Sequence, residues 1–179
     1  SQGKFTPQFD IVGPVTVSKN SAYYGGNIGK ATDVNFAEMI AEACKSVSSK
    51  VNFADYDQNN DGYVDLVYVI YAGYSESLGG NSSDCLWPKS GTNAFYEPET
   101  NNLLKLNGKQ ICRYGINNEL NASPTVEANN YKGMPLLNGI GLFCHEFSHT
   151  MGLPDLYPTV ETSRVDNQNP EYWDLMDGG

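Results

Sequence analysis

The chain has 179 residues, with 11 Lys and Arg against 21 Asp and Glu, a formal net charge of −10 and a sequence pI near 4.5. That length fits a single domain with a sizeable core, and that charge excludes nucleic acid and anionic membrane as natural partners. No run of about eighteen apolar residues occurs, so no membrane span is read, and the chain is expected to be a monomer.

Residues 5–20 read as extended, with the apolar pairs Ile11-Val12 and Val15/Val17 interrupted by Gly13-Pro14. Gly25-Gly26-Asn27 reads as a turn. From about Asp33, the set Val34, Ala37, Ile40, Ala41, Cys44 and Val47 follows helical spacing, with Glu38, Glu42 and Lys45 on the far face. Residues 64–72 are rich in β-branched and aromatic side chains and predict a buried central strand. Residues 75–102 are rich in Gly, Ser, Asn and Pro and predict a surface loop. Residues 103–113, with Asn107-Gly108 at the turn, predict a β-hairpin. Residues 139–151 predict a helix entered through Asn138-Gly139 without a strong cap. Helix, mixed sheet, hairpin and helix in that order predict an α/β (α+β) fold, a three-layer sandwich with no repeat and no linker.

Two features along this path concern metal or sulfur chemistry. Residues 57–65, Asp-Gln-Asn-Asn-Asp-Gly-Tyr-Val-Asp, begin like a calcium loop: Asp57, Asn59 and Asp61 at positions one, three and five, Gly62 at six and Asp65 at nine. Position twelve is Tyr68, so the closing Glu of an EF-hand is missing; a modified calcium loop closed by Asp55 or Asp65 stands beside an Asx-rich turn. The four cysteines, Cys44, Cys85, Cys112 and Cys144, form no CxxC pattern, and their even count permits two disulfides. Cys85 with Cys112 is the first pairing expected, while Cys144 suits a buried thiol equally well.

The strongest signal is the placement of the chain's 2 histidines, four residues apart in Cys144-His145-Glu146-Phe147-Ser148-His149. On a helix this spacing brings both imidazoles to one face, where they can chelate zinc, with Glu146 beside them to take a proton from water. The stretch continues as HExxHxxGxxD. Gly152 suits a left-handed helix end and Pro154 prevents the helix from resuming, so the chain bends and can return Asp155 as a third ligand. Three protein ligands and one open position characterise a catalytic zinc rather than a structural one. The plainer alternative is a helix with two satisfied histidines and a glycine cap.

The segment GIGLFCHEFSHTMGLPDLY, residues 139–157, resembles the active-site segment of the M6 metallopeptidases, the immune inhibitor A type, a metzincin family with Asp where many relatives have a third His. Residues 171–179, EYWDLMDGG, resemble its methionine turn, and residues 61–73, 86–88 and 114–119 resemble it less distinctly. The likeness covers roughly residues 50–179. It implies a metzincin-like sandwich, a mixed twisted sheet with an active-site helix and a backing helix, as one catalytic domain over 1–179. It further implies Zn²⁺ on His145, His149 and Asp155, Glu146 as general base, Met176 as an apolar floor, and protein or peptide substrates. Substrate is expected to add a strand beside the second hairpin strand, residues 109–117. Secretion or cell-surface location follows from the likeness, supported by the acidic, Tyr- and Asn-rich composition. The start at Ser1-Gln2-Gly3 without Met raises the expectation of a removed leader or pro-segment, and the end three residues after Met176 that of a truncated C-terminus.

Three alternatives stay open on the sequence. The same fold can serve as a catalytically impaired binding domain, although an intact Glu146 argues against this. A gluzincin-type site would recruit Glu161 or Glu171 as third ligand. An adhesion module stabilised by Ca²⁺ would carry HExxH by accident.

Overall fold

The computed structural model describes residues 3–78, 83–97, 99–121, 123, 136–159 and 173–177. Its elements are α1 (Ser21–Gly25), α2 (Phe36–Val47), β1 (Val67–Tyr71), β2 (Lys89–Thr92), β3 (Lys105–Leu106), β4 (Lys109–Gln110), β5 (Arg113–Asn118) and α3 (Ile140–Thr150). The fold is mixed, α with β, as the element order predicts.

Helix α2 forms where the apolar spacing predicts it, burying Met39, Ile40, Ala41, Cys44 and Val47. Glu38 in its first turn and Lys45 in its last complement the helix dipole. The expected turn at Gly25-Gly26-Asn27 is preceded by the short α1, because the Asn20 side chain accepts from the Tyr23 N–H and caps it.

The main sheet runs β1-β5-β2. Strand β5 is central, parallel to β1 (Val67 opposite Tyr114, Tyr71 opposite Asn118) and antiparallel to β2 (Lys89 opposite Ile116). The pleat sends Tyr114 and Ile116 to one face and Gly115 and Asn117 to the other. On the first face Tyr114 packs against Phe36 of α2, with ring centroids 5.3 Å apart. On the second, Tyr68 packs against Phe143 of α3 at 4.7 Å. The two long helices therefore back opposite faces.

Three expectations are corrected here. The apolar strand of residues 64–72 is shorter and, among the described residues, pairs on one side only, with Ile70 63% exposed. Its apolar character reflects burial against the helix layers rather than a central position, and a cavity of about 570 Å³ lies along it, bordered by α2 and the segment around Val12, Val15 and Val17. The expected loop of residues 75–102 contains β2, whose Lys-Ser-Gly-Thr sequence has low strand propensity outside Thr92 and is held by pairing with β5. The expected edge strand of residues 109–117 divides into β4 and the central β5, so the edge beside α3 is β2 instead.

The hairpin β3-β4 is present, with Asn107 at φ 50° and Gly108 at φ 80° supplying the left-handed residues its two-residue turn needs. Residues 5–20 form no strand; Phe9 instead packs on Phe143 and Phe147 of α3 at 5.7 and 5.3 Å. Cys85 and Cys112 do not form the expected bridge, each retaining its thiol.

Candidate metal centre

Helix α3 begins at Gly139 without a side-chain cap and ends where Gly152 takes φ 93°. The Leu153 N–H reaches the Ser148 carbonyl and the Gly152 N–H reaches that of His149, which closes the helix in a Schellman turn. This turn carries Asp155 back over the last helical turn, as the Gly-Pro spacing predicts.

His145, His149 and Asp155 converge as a result. The two Nε2 atoms lie 3.1 Å apart, and Asp155 Oδ1 lies 3.4 Å from that of His145 and 3.2 Å from that of His149. Each ring's Nδ1 sits 2.7 Å from a backbone carbonyl, that of Leu175 for His145 and that of Leu153 for His149. A carbonyl only accepts, so Nδ1 carries the proton in both rings and, in the neutral imidazoles, both Nε2 atoms present bare lone pairs.

Asp155 Oδ1 is buried and, among the described residues, makes no hydrogen bond, despite its closeness to both rings. Three acceptors thus face one another without a donor between them, an arrangement that repels unless a cation sits among them. Tetrahedral zinc with ligands at about 2.0–2.1 Å needs neighbouring donors about 3.3 Å apart. The observed triangle fits that requirement, and the two nitrogens with one carboxylate oxygen suit zinc chemically. Among the described residues it is the one cluster of His, Cys, Asp or Glu with such geometry.

Glu146 is buried, 5% exposed, and its Oε2 accepts from the Ser90 hydroxyl at 3.0 Å. Burial raises its pKa from the ordinary value, against smaller lowering contributions from Ser90, His145 and His149. Met176 is also buried, its N–H donating to Asp174 Oδ1 and its carbonyl accepting from the Leu156 N–H, both at 2.8 Å. Consecutive residues 175 and 176 therefore hold His145 and the residue after Asp155 through their carbonyls. A cavity of about 770 Å³ opens beside His145, with Asn118, Leu142, Trp173 and Leu175 among its walls.

In the loop of residues 57–65 the side-chain oxygens accept local hydrogen bonds. Asp57 Oδ1 accepts from the Asp61 N–H, and Oδ2 from the Gly62 N–H and from Lys109 Nζ at 2.6 Å. Asn59 bonds Asp61, and Asp65 accepts from the Gln58 N–H. These oxygens are engaged by backbone donors and by a lysine, which supports the Asx-rich turn and lends no support to calcium. Asp55 likewise accepts from the Asn52 side chain. Glu161 and Glu171, the alternative third ligands, lie outside the described residues, as do both ends of the methionine-turn segment.

Reading by motif missed Ser90, Leu153 and Leu175. The carbonyls of Leu153 and Leu175 carry no side-chain signature, and Ser90 lies 56 positions from Glu146 in an unremarkable segment.

Comparison with known proteins bears on the family of the chain. The chain is 28% identical over 180 residues to the pre-pro-metalloprotease PrtV of Vibrio cholerae serotype O1, covering 90% of this chain and 18% of that protein. It is 23% identical over 202 residues to immune inhibitor A of Bacillus thuringiensis subsp. alesti, covering 100% of this chain and 27% of that protein. The chain thus spans less than a third of the length of either relative. The family described as immune inhibitor A peptidase M6, catalytic domain, matches residues 1–179, and the chain belongs to that family of metallopeptidases.

Proposed function

We propose that the chain is a secreted zinc-dependent endopeptidase domain of metzincin-like architecture, acting on protein or peptide substrates. The observation that carries this reading is the convergence of two bare imidazole nitrogens and an orphaned carboxylate oxygen at 3.1–3.4 Å. His145 Nε2, His149 Nε2 and Asp155 Oδ1 would hold the zinc. Bound there, zinc supplies Lewis acidity toward water and the scissile carbonyl.

The remaining work falls to the chain's own groups. The Leu175 and Leu153 carbonyls fix the ring tautomers and orientations. Glu146, buried beside the triangle, accepts the proton of the attacking water and returns it to the leaving amine. Met176 forms an apolar floor whose backbone steadies the Asp155 segment. Secretion is supported by the acidic composition and by the relative named as a pre-pro-metalloprotease.

Glu146→Gln tests the reading. The variant is expected to keep one zinc per chain and to lose casein cleavage by about 10²–10⁴-fold, the range of general acid–base contributions. Full activity in that variant removes Glu146 from the mechanism. Failure of the parent chain to take up zinc rejects the peptidase reading as a whole.

A further inference from the structure

We propose that Ser90 is a positioning residue for Glu146, holding one carboxylate oxygen so that the other is presented to the reacting water. This rests on the reading of Glu146 as the proton carrier. The Ser90 hydroxyl donates to Oε2 at 3.0 Å, and Oε1 makes no hydrogen bond among the described residues. A glutamate side chain has three rotatable bonds, and a hydrogen bond to one carboxylate oxygen restricts how the other is presented.

The position of Ser90 is itself fixed. It stands opposite Gly115 of the central strand, on the face that carries α3. A Cβ at Gly115 would lie 2.4 Å from the Tyr68 ring, so the glycine lets that ring cross the sheet beneath α3. On the opposite face the preceding residue, Lys89, pairs with Asp33, which is fully buried, and lies over the Phe36 ring at 4.6 Å. Asp33 also accepts from the Trp87 N–H at 3.1 Å. Strand β2 is therefore anchored at its first residue, 89, and its approach at residue 87, immediately before the hydroxyl that reaches Glu146.

A serine suits this role because its hydroxyl donates to the carboxylate without a charge that would hold the proton-accepting form too tightly. A lysine or arginine there would lower the basicity that the reaction needs.

The test uses the zinc-loaded chain and a fluorogenic peptide substrate. Hydrogen bonds to charged groups correspond to roughly 10–100-fold in a rate or equilibrium constant. Ser90→Ala is expected to lower kcat by about that range with KM within about twofold and zinc content unchanged. Ser90→Thr, which keeps the hydroxyl, should restore most of the rate. Ser90→Cys, with similar volume and a weak donor, should resemble the alanine variant and serves if that variant does not fold. Crystal structures supply the second readout: the Glu146 carboxylate keeps its place in the parent and in Ser90→Thr and leaves it in Ser90→Ala. Unchanged kcat in Ser90→Ala, an unmoved Glu146, or a loss that follows KM or zinc content overturns the proposal. A parent chain that holds zinc yet cleaves nothing rejects the peptidase reading, while the Glu146 position still decides the role of Ser90.

Discussion

The Leu175 carbonyl lies 2.7 Å from Nδ1 of His145, thirty residues earlier in the chain. The segment of residues 173–177 thereby sets which nitrogen of the first histidine is free. Met176, next in sequence, accepts from Leu156 and so steadies the segment that delivers Asp155. The three converging atoms come from one helix and its closing turn, held by these carbonyls, and their mutual repulsion leads to the prediction that a bound cation stabilises the fold.

Removing one donor should therefore uncouple metal from stability. Zinc at about one hundred times its dissociation constant stabilises the folded chain by about 2.7 kcal/mol. Asp155→Ala is expected to abolish most of the zinc-dependent rise in Tm seen in the parent by differential scanning calorimetry. An undiminished rise in the variant excludes Asp155 as a ligand.

The sheet order predicts unequal costs for two isoleucines. Ile116, on the central strand, is fully buried, whereas Ile70 on β1 is 63% exposed. Ile116→Ala should destabilise by about 2–5 kcal/mol, the range for emptied core positions. Ile70→Ala should change stability by about 0.5 kcal/mol or less. Urea unfolding of both variants checks this, and equal costs would contradict the placement of β5 between β1 and β2.

Acid sensitivity follows from Asp57. The Lys109 ammonium, more than the Gly62 and Asp61 N–H groups, holds its carboxyl below the ordinary value, against the opposing effect of burial. Folding therefore favours the charged form. The associated stability is present above the ordinary carboxylate pKa of about 4 and is lost as pH falls through the lower folded-state value. Asp57→Asn should lower Tm at pH 7 and flatten its dependence on pH below about 4. An unaltered acid slope in thermal melts would show that Asp57 is not the group responsible.

The same contacts predict indifference to calcium. With Asp57, Asn59, Asp61 and Asp65 engaged by loop donors and by Lys109, millimolar calcium or its chelation should move Tm by no more than about 1 °C. A rise of several degrees would establish that the loop opens to take the ion.

Much of the candidate site was legible because its signals are local. The i, i+4 histidines, the glycine that ends the helix and the aspartate three residues later depend on helix geometry and turn chemistry, which spacing encodes directly. Helix α2 and the Asn107-Gly108 hairpin were legible for the same reason. Lateral strand order was not. The apolar run of residues 64–72 reads as central because hydrophobicity reports burial, not which neighbour a strand pairs with. Strand β2 has Thr92 as its one β-forming residue and is held by its partner. Ser90 and the Leu175 carbonyl act across long sequence separations, which no motif records.

The account is tested most directly by anomalous diffraction at the zinc absorption edge from crystals of the zinc-loaded chain. One strong peak should lie within about 2.0–2.2 Å of His145 Nε2, His149 Nε2 and an Asp155 carboxylate oxygen. A peak bound elsewhere, or at a triad that replaces Asp155 with a glutamate, would contradict it.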